Sequence, residues 1–460
     1  MKHWIEKLVA RLWNRIASRS RLAIVGAALD LGPAVSDGST TRNRIAIAQS
    51  RRAEHMAILG KTGSGKSFLL RYQAQQDIAS GRGLIYVDIH GDATPFLIGT
   101  VAAQEHVTKR DLSDKLIIVE PADQDFSVGL NPLEHQNGNQ RFIQIAEFSQ
   151  VLKQRWHLES FGARTDELLR NALYVLAENG LTLLEIGPLL SHSSFRAQCL
   201  TRVRNAEVKQ YFELRYDQVS EPMRAVLREP ILNKTSAFTA DLHFRHIIGQ
   251  QHSTFSILEA MDQGRWIILN LNKGRLGEQA MTLGSLFLTM IKNALFSRQS
   301  RDLYSVYCDE IQNLVASYGS GLEVILSEAR KFAVSVISAN QYLDQYPPEM
   351  RAAILSVGTH IFFQLSVADA QQIATALDGG KPLAELLKNL PRRHMVVKTG
   401  HERWREALVP QVHEPKVDPT DLYNRCRARW GRKRTEIEAD IERRQAVVRR
   451  SNDEVLNEWN

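Results

Sequence analysis

The chain has 460 residues, 43% hydrophobic and 24% charged, a composition that excludes a disordered or fibrous protein. Its three cysteines, Cys199, Cys308 and Cys426, lie far apart without C-x-x-C spacing or nearby histidine pairs, which suggests neither a disulfide framework nor a zinc site and fits a reducing, cytoplasmic setting. The formal net charge of +7 arises within residues 1–52, where ten Lys/Arg stand against three Asp/Glu, and the rest of the chain is balanced.

Residues 1–21 read as a basic amphipathic helix. Trp4, Leu8, Leu12 and Ile16 share one face, and Lys7, Arg11, Arg15 and Arg19 a neighbouring one. Such a helix can lie on the inner face of the cell membrane as a peripheral contact, dock on a partner, or pack against its own domain. Arginines interrupt every apolar window of the roughly 20 residues that a bilayer span requires, so neither a spanning segment nor a cleavable signal is expected there. Residues 22–52 form a lead-in.

From residue 53 apolar runs alternate with helical patterns, the sign of an α/β fold with a mainly parallel sheet flanked by helices. Residues 53–137 hold the first half of this core, with strands at MAIL (56), LIYVDI (84) and KLIIV (115). Residues 138–250 read as helix after helix, an all-α domain inserted in the core. Residues 251–415 hold the second half, with strands at WIILNL (266), YSVYCD (304), VSVIS (334), IFFQL (361) and MVVK (395). The tail, 416–460, reads as charged helix with few apolar anchors, exposed or partner-bound. Its basic run from Arg425 to Arg434 is followed at once by the acidic EIEADIE, so it is either an anion-attracting patch or a solvated helix face.

The strongest chemical signal is GKTGSGKS, comprising Gly60, Lys61, Thr62, Gly63, Ser64, Gly65, Lys66 and Ser67, which satisfies G-x-x-x-x-G-K-[ST] between a strand and a helix. Gly60, Gly63 and Gly65 are expected to let the backbone turn its N–H groups inward around phosphates. Lys66 brings a cation to the β- and γ-phosphates of ATP, the Ser67 hydroxyl can ligate Mg²⁺, and the helix start adds its positive dipole end.

A second element decides among nucleotide-using classes. LYSVYCDEIQ ends an apolar strand in Asp309 and Glu310, the pattern in which the first acid holds Mg²⁺ and the second polarises the attacking water. The next strand runs into Asn340 and Gln341, either a γ-phosphate-sensing amide or a plain turn. Arg330 and Lys331 near a helix C-terminus are either dipole-favoured cations or, for Arg330, a finger reaching a neighbouring subunit's nucleotide. A GTPase should carry N-K-x-D, yet Asn272 and Lys273 precede Gly274 and Arg275, and an LSGGQ-like transporter signature is missing. Lys273 and Arg275, after the strand WIILNL, either line a pore or are ordinary loop cations.

These residues resemble the FtsK/HerA superfamily and, within it, the TraD/TraG-like coupling ATPases of conjugative type IV secretion. The resemblance spans most of residues 53–400. It rests on HMAILGKTGSGKS, YVDIHGD at 86, LNPLE at 130, YCDEIQ at 307 and LSEARKFAVSVISANQ at 326. It implies a RecA-like core, Lys66 and Ser67 as phosphate and Mg²⁺ groups, Asp309 and Glu310 as the acidic pair, Gln341 as sensor and Arg330 as trans-acting finger. It further implies a homo-hexameric ring that uses ATP to move DNA, or a DNA–protein complex, together with relaxase or secretion-channel partners. Coupling proteins usually begin with transmembrane helices, whereas this chain offers a basic amphipathic segment. Ile89 stands where the family commonly has proline, and Asp88 is given no catalytic role. Two alternatives are a cytosolic HerA-like DNA-processing or defence ATPase acting with a nuclease, and a nucleotide-switch adaptor without motor activity.

Overall fold

The computed structural model describes residues 28–134, 141–155, 157–314, 322–346 and 348–457. The basic segment 1–21 lies outside them. In chain order the strands are β1 (Ala28–Ser36), β2 (Ser39–Ala48), β3 (Met56–Leu59), β4 (Leu84–Asp88), β5 (Leu116–Val119), β6 (Phe126–Ser127), β7 (Trp266–Asn270), β8 (Tyr304–Asp309), β9 (Val334–Asn340), β10 (Thr359–Phe362), β11 (His394–Thr399), β12 (Arg405–Leu408) and β13 (Arg432–Lys433). The apolar runs read from the sequence are β3 to β5 and β7 to β11.

One sheet joins eleven strands in the order β2-β1-β12-β11-β10-β3-β9-β8-β4-β7-β5. From β10 to β5 every neighbouring pair is parallel, and from β10 outward to β2 every pair is antiparallel. Alternate residues of each strand enter opposite cores, as the two-residue period of a strand requires. Met56, Ile58, Tyr86 and Ile268 pack with the helices Lys66–Ala79 and Thr94–Thr108. Ala57, Leu59, Val87 and Leu269 face the other core, shared with the helix Gln279–Ser297. Burial on both faces explains why these strands read as unbroken apolar runs.

The helix Gln279–Ser297 is long and apolar enough to cross a membrane by length and composition, but 67% of its window is buried inside the protein, as a core helix would be. Between β6 and β7 every described element is helical. The helix Ala163–Glu178 shows why: Leu168, Leu169, Ala172, Leu173 and Leu176 recur at helical spacing and all are buried.

Two regions differ from expectation. The sheet begins within the lead-in, because β1 and β2 form a hairpin. Its turn is Asp37-Gly38, with φ of 51° and 71°, the positive pair that a two-residue hairpin favours. Gly32 and Pro33 interrupt the strand pattern in sequence, and the register shifts between Asp30 and Gly32 and between Pro33 and Val35 accommodate them.

The charged tail is docked, not free. Leu422 and Cys426 in the helix Thr420–Trp430, and Ile437 and Ile441 in the helix Arg434–Asn457, are buried one helical turn apart. Core acids neutralise the basic run, where Arg425 pairs with Glu105 and Asp111 and Arg427 with Asp123 and Asp125, while Arg245 and His246 of the insert meet Glu438 of the tail.

Near the starts of β3 and β8 lies a buried ionic cluster. Arg52 donates to Asp77 Oδ1 and Oδ2 at 2.6 and 2.7 Å and to Ser305 Oγ at 2.8 Å, and Tyr307 OH donates to Asp77 Oδ2 at 2.7 Å. Burial alone would raise the Asp77 carboxyl, but the Arg52 charge and the hydrogen bonds around it hold it below the usual carboxylate range. Removing Arg52 leaves the buried Asp77 with Arg82 Nε, 3.4 Å from Oδ1, as its remaining charge partner. Arg52→Ala is therefore expected to lower unfolding free energy by about 3–5 kcal/mol, measured by denaturant titration, and a loss within the ordinary surface range would show that the pair is not buried as described.

Candidate nucleotide site

The carboxyl ends of β3, β9, β8 and β4 lie side by side, the edge where open α/β sheets bind ligands. β3 leads directly into residues 60–65 and then the helix Lys66–Ala79. The glycines at the ends of that loop serve different needs. Gly65 has φ +126°, a conformation that L side chains rarely adopt. Gly60 has an ordinary φ, contrary to the expectation that it needs special backbone freedom, and its requirement is space. A Cβ there would lie 2.5 Å from Phe363 Cβ. Gly63 has φ +76° and open surroundings, and with Lys61 and Thr62 it forms the exposed crest of the loop.

Two outer anchors orient the loop. Lys61 N–H donates to Gln364 O at 2.8 Å, and Arg393 N–H donates to Ser64 O at 2.8 Å. In a planar trans peptide the C=O and N–H point in opposite directions. Anchoring Lys61 N–H outside therefore turns Gly60 C=O inward, where it accepts from Lys66 Nζ at 2.6 Å. Anchoring Ser64 C=O outside turns Gly65 N–H inward. Arg393 itself holds φ +69°, and its side chain is tied to Val409 O.

Several features of the loop fit a phosphate. No side chain caps the helix that begins at Lys66, so its first N–H groups are left for an anion. Ser64 Oγ is buried and, among the described residues, has no hydrogen-bond partner. Burial pushes the Lys66 ammonium below its usual value, and the charges of Asp309 and Glu310 oppose that fall.

The register places the acids beside this loop. β9 separates β3 from β8, with Leu59 opposite Asn340 and Asp309 opposite Ala339. Ser67 Oγ donates to Asp309 Oδ2 at 2.8 Å across that gap. Burial raises the Asp309 carboxyl, while Ser67 and Lys66 pull it back down. A hydroxyl and one carboxylate suit Mg²⁺, which takes few protein ligands and fills its octahedron with water and phosphate oxygens. No cluster of three or more acidic, His or Cys ligands occurs among the described residues.

Glu310 lies in the left-handed region, with φ 56°, and its N–H donates to Ala339 O at 2.8 Å. Its side chain is gripped from both neighbouring strands. Gln341 Nε2 donates to Oε1 at 2.8 Å, and His90 Nε2 lies 3.1 Å from Oε2. Asn340 is buried and bonded to Gln312 and Tyr346. Of the two amides at the β9 tip, Gln341 therefore faces the acids.

Asp88 builds a turn. Its carboxylate accepts from the N–H groups of Gly91 and Ala93 at 2.9 Å and from Thr94 N–H and Oγ1 at 2.7 Å. Arg330 stands apart from the site. It precedes β9, so the seven residues of that strand put it about 20 Å from the loop. There its side chain is 68% exposed and pairs with Glu54 at 3.3 Å. Lys273 and Arg275 occupy the short helix Lys273–Leu276 after β7, at the same sheet edge as the loop. Sequence reasoning missed His90, Gln364 and Arg393. His90 stands in the YVDIHGD segment, but no spacing rule connects it to Glu310.

Residues 48–160, which contain the loop and β3 to β5, match the family model of the helicase HerA central domain. No curated protein matches the chain. Among solved structures, the plasmid coupling protein TrwB in complex with ADP and Mg²⁺ superposes with a TM-score of 0.60 at 18% identity, over 84% of this chain and 95% of that one. TrwB with the ATP analogue ADPNP gives 0.59 at 16% identity, over 84% and 95%. VirB4 of Thermoanaerobacter pseudethanolicus gives 0.54 at 15%, over 85% and 99%. At such identities the likeness is one of fold. Residues 48–160 thus resemble the HerA central domain, and the chain shares the fold of the coupling protein TrwB and of VirB4.

Proposed function

We propose that the chain hydrolyses ATP at this loop and uses the energy to drive DNA, alone or with bound protein, through a type IV secretion apparatus, working as a ring of six. The observation that carries this reading is the Ser67–Asp309 contact with Glu310 beside it. Lys66 and the inward N–H groups hold the phosphates. Ser67 and Asp309 would hold Mg²⁺, which when bound would neutralise charge on the transferring phosphoryl group. Glu310 orients and polarises the attacking water, and Gln341 holds the Glu310 carboxylate. Arg330 is too distant to act in its own chain, so in this reading it serves the loop of a neighbouring subunit. Contact with a membrane through residues 1–21 and with relaxase or channel proteins belongs to the same proposal. A cytosolic DNA-processing ATPase working with a nuclease is the second reading, favoured by the name of the family model that residues 48–160 match.

Phosphate release, measured with and without single- and double-stranded DNA alongside particle size, tests this. Turnover should rise with DNA and with protein concentration. Lys66→Ala should fall to background. Arg330→Ala should still assemble but lose roughly 10³-fold or more of its DNA-stimulated rate. An active Lys66→Ala would remove the nucleotide reading, and a fully active Arg330→Ala would remove the finger.

The outer anchor of the loop gives a separate test. Arg393→Pro deletes the N–H that holds Ser64 and forces φ near −65° where the chain needs +69°. Nucleotide affinity should drop at least about tenfold, whereas Arg393→Gly, which keeps both features, should bind normally. Equal binding by the two variants would dismiss the anchor.

A further inference from the structure

The turn after β4 is fixed from several sides before it reaches the acids. Asp88 collects four hydrogen bonds from the turn's own residues. Lys273 N–H donates to Ile89 O at 2.8 Å, and Ile89 is buried. Gly91 has φ +86°, and a Cβ there would lie 3.0 Å from Asn270 Oδ1. Between these fixed points the His90 side chain projects outward, 52% exposed, with Nε2 3.1 Å from Glu310 Oε2.

The strand order creates this meeting. β4 and β9 flank β8, so the residues that follow each of them reach Glu310 from opposite sides. Gln341 takes one carboxylate oxygen and His90 the other. Two such bonds, one to each carboxylate oxygen, fix its plane. The left-handed backbone of Glu310 is a conformation that persists where the surroundings over-determine it.

We propose that His90 is a positioning residue for Glu310, fixing the orientation in which its carboxylate meets the attacking water. The assignment rests on reading Glu310 as the group that polarises that water. His90 donates from Nε2, and its exposure means that removing it leaves the core intact.

The test uses the full chain and measures steady-state ATPase with DNA, together with binding of a fluorescent non-hydrolysable ATP analogue. His90→Ala should lower kcat roughly 10–100-fold with KM and analogue affinity unchanged. His90→Gln, which offers an Nε2 donor, should recover part of the rate. Added to Glu310→Gln, His90→Ala should cost nothing further, because the two act as one unit. A wild-type kcat for His90→Ala while Lys66→Ala is inactive would overturn the His90 assignment and leave the nucleotide site standing. So would a multiplicative double variant, or a loss confined to nucleotide affinity. Full turnover by Glu310→Gln would instead bring down the reading on which the assignment rests.

Discussion

The site depends on one mechanical constraint: the helix that follows the phosphate loop is pinned at both ends to a single strand. Ser305, Tyr307 and Asp309 share one face of β8, two residues apart. Ser67, in the first turn of the helix, bonds to Asp309. Asp77, near its end, receives Tyr307 directly and joins Ser305 through Arg52. Ten helical residues rise about 15 Å, and four strand residues span about 13 Å, so the two elements match in length. A shift of the helix along β8 would break a buried ion pair at one end and the Ser67–Asp309 hydrogen bond at the other.

Around that pin the other strands contribute by position. β9 inserts between β3 and β8, and its tip supplies Gln341 while its backbone holds Gly60 and Glu310. β4 supplies the turn that carries His90. The segments after β10 and before β11 hold the loop from outside through Gln364 and Arg393. Every group at the loop thus comes from the end of a sheet strand, and rigid elements, not loop tips, set the geometry. Arg330 sits at the opposite edge of the sheet, and the proposed dependence of hydrolysis on assembly follows from that separation.

Much of the fold was legible because the central strands are buried on both faces. MAIL, LIYV and WIIL are apolar without interruption, YSVYC is broken only by Ser305, and each leads into a polar residue or motif. The β1–β2 hairpin was hidden by Gly32 and Pro33, which break the strand pattern and are tolerated only through irregular register, although Asp37-Gly38 did mark a turn. The tail's docking was hidden because its apolar anchors are few, and the acids that receive its arginines are some 300 residues earlier in the chain. Lys66, Ser67, Asp309 and Glu310 could be named from motif spacing. That His90 meets Glu310 could not, since it follows from β4 lying next to β8, and sequence spacing says nothing about strand order.

The central claim is that Ser67 and Asp309 act together on one metal-bound nucleotide. ADP affinity, measured with and without Mg²⁺ for the parent chain, Ser67→Ala, Asp309→Ala and the double variant, addresses it most directly. Each single substitution should abolish most of the gain in affinity that Mg²⁺ confers, and the double should be no worse than either, because the two groups serve one ion. Single variants that keep the full Mg²⁺ effect, or losses that simply add, would contradict the account.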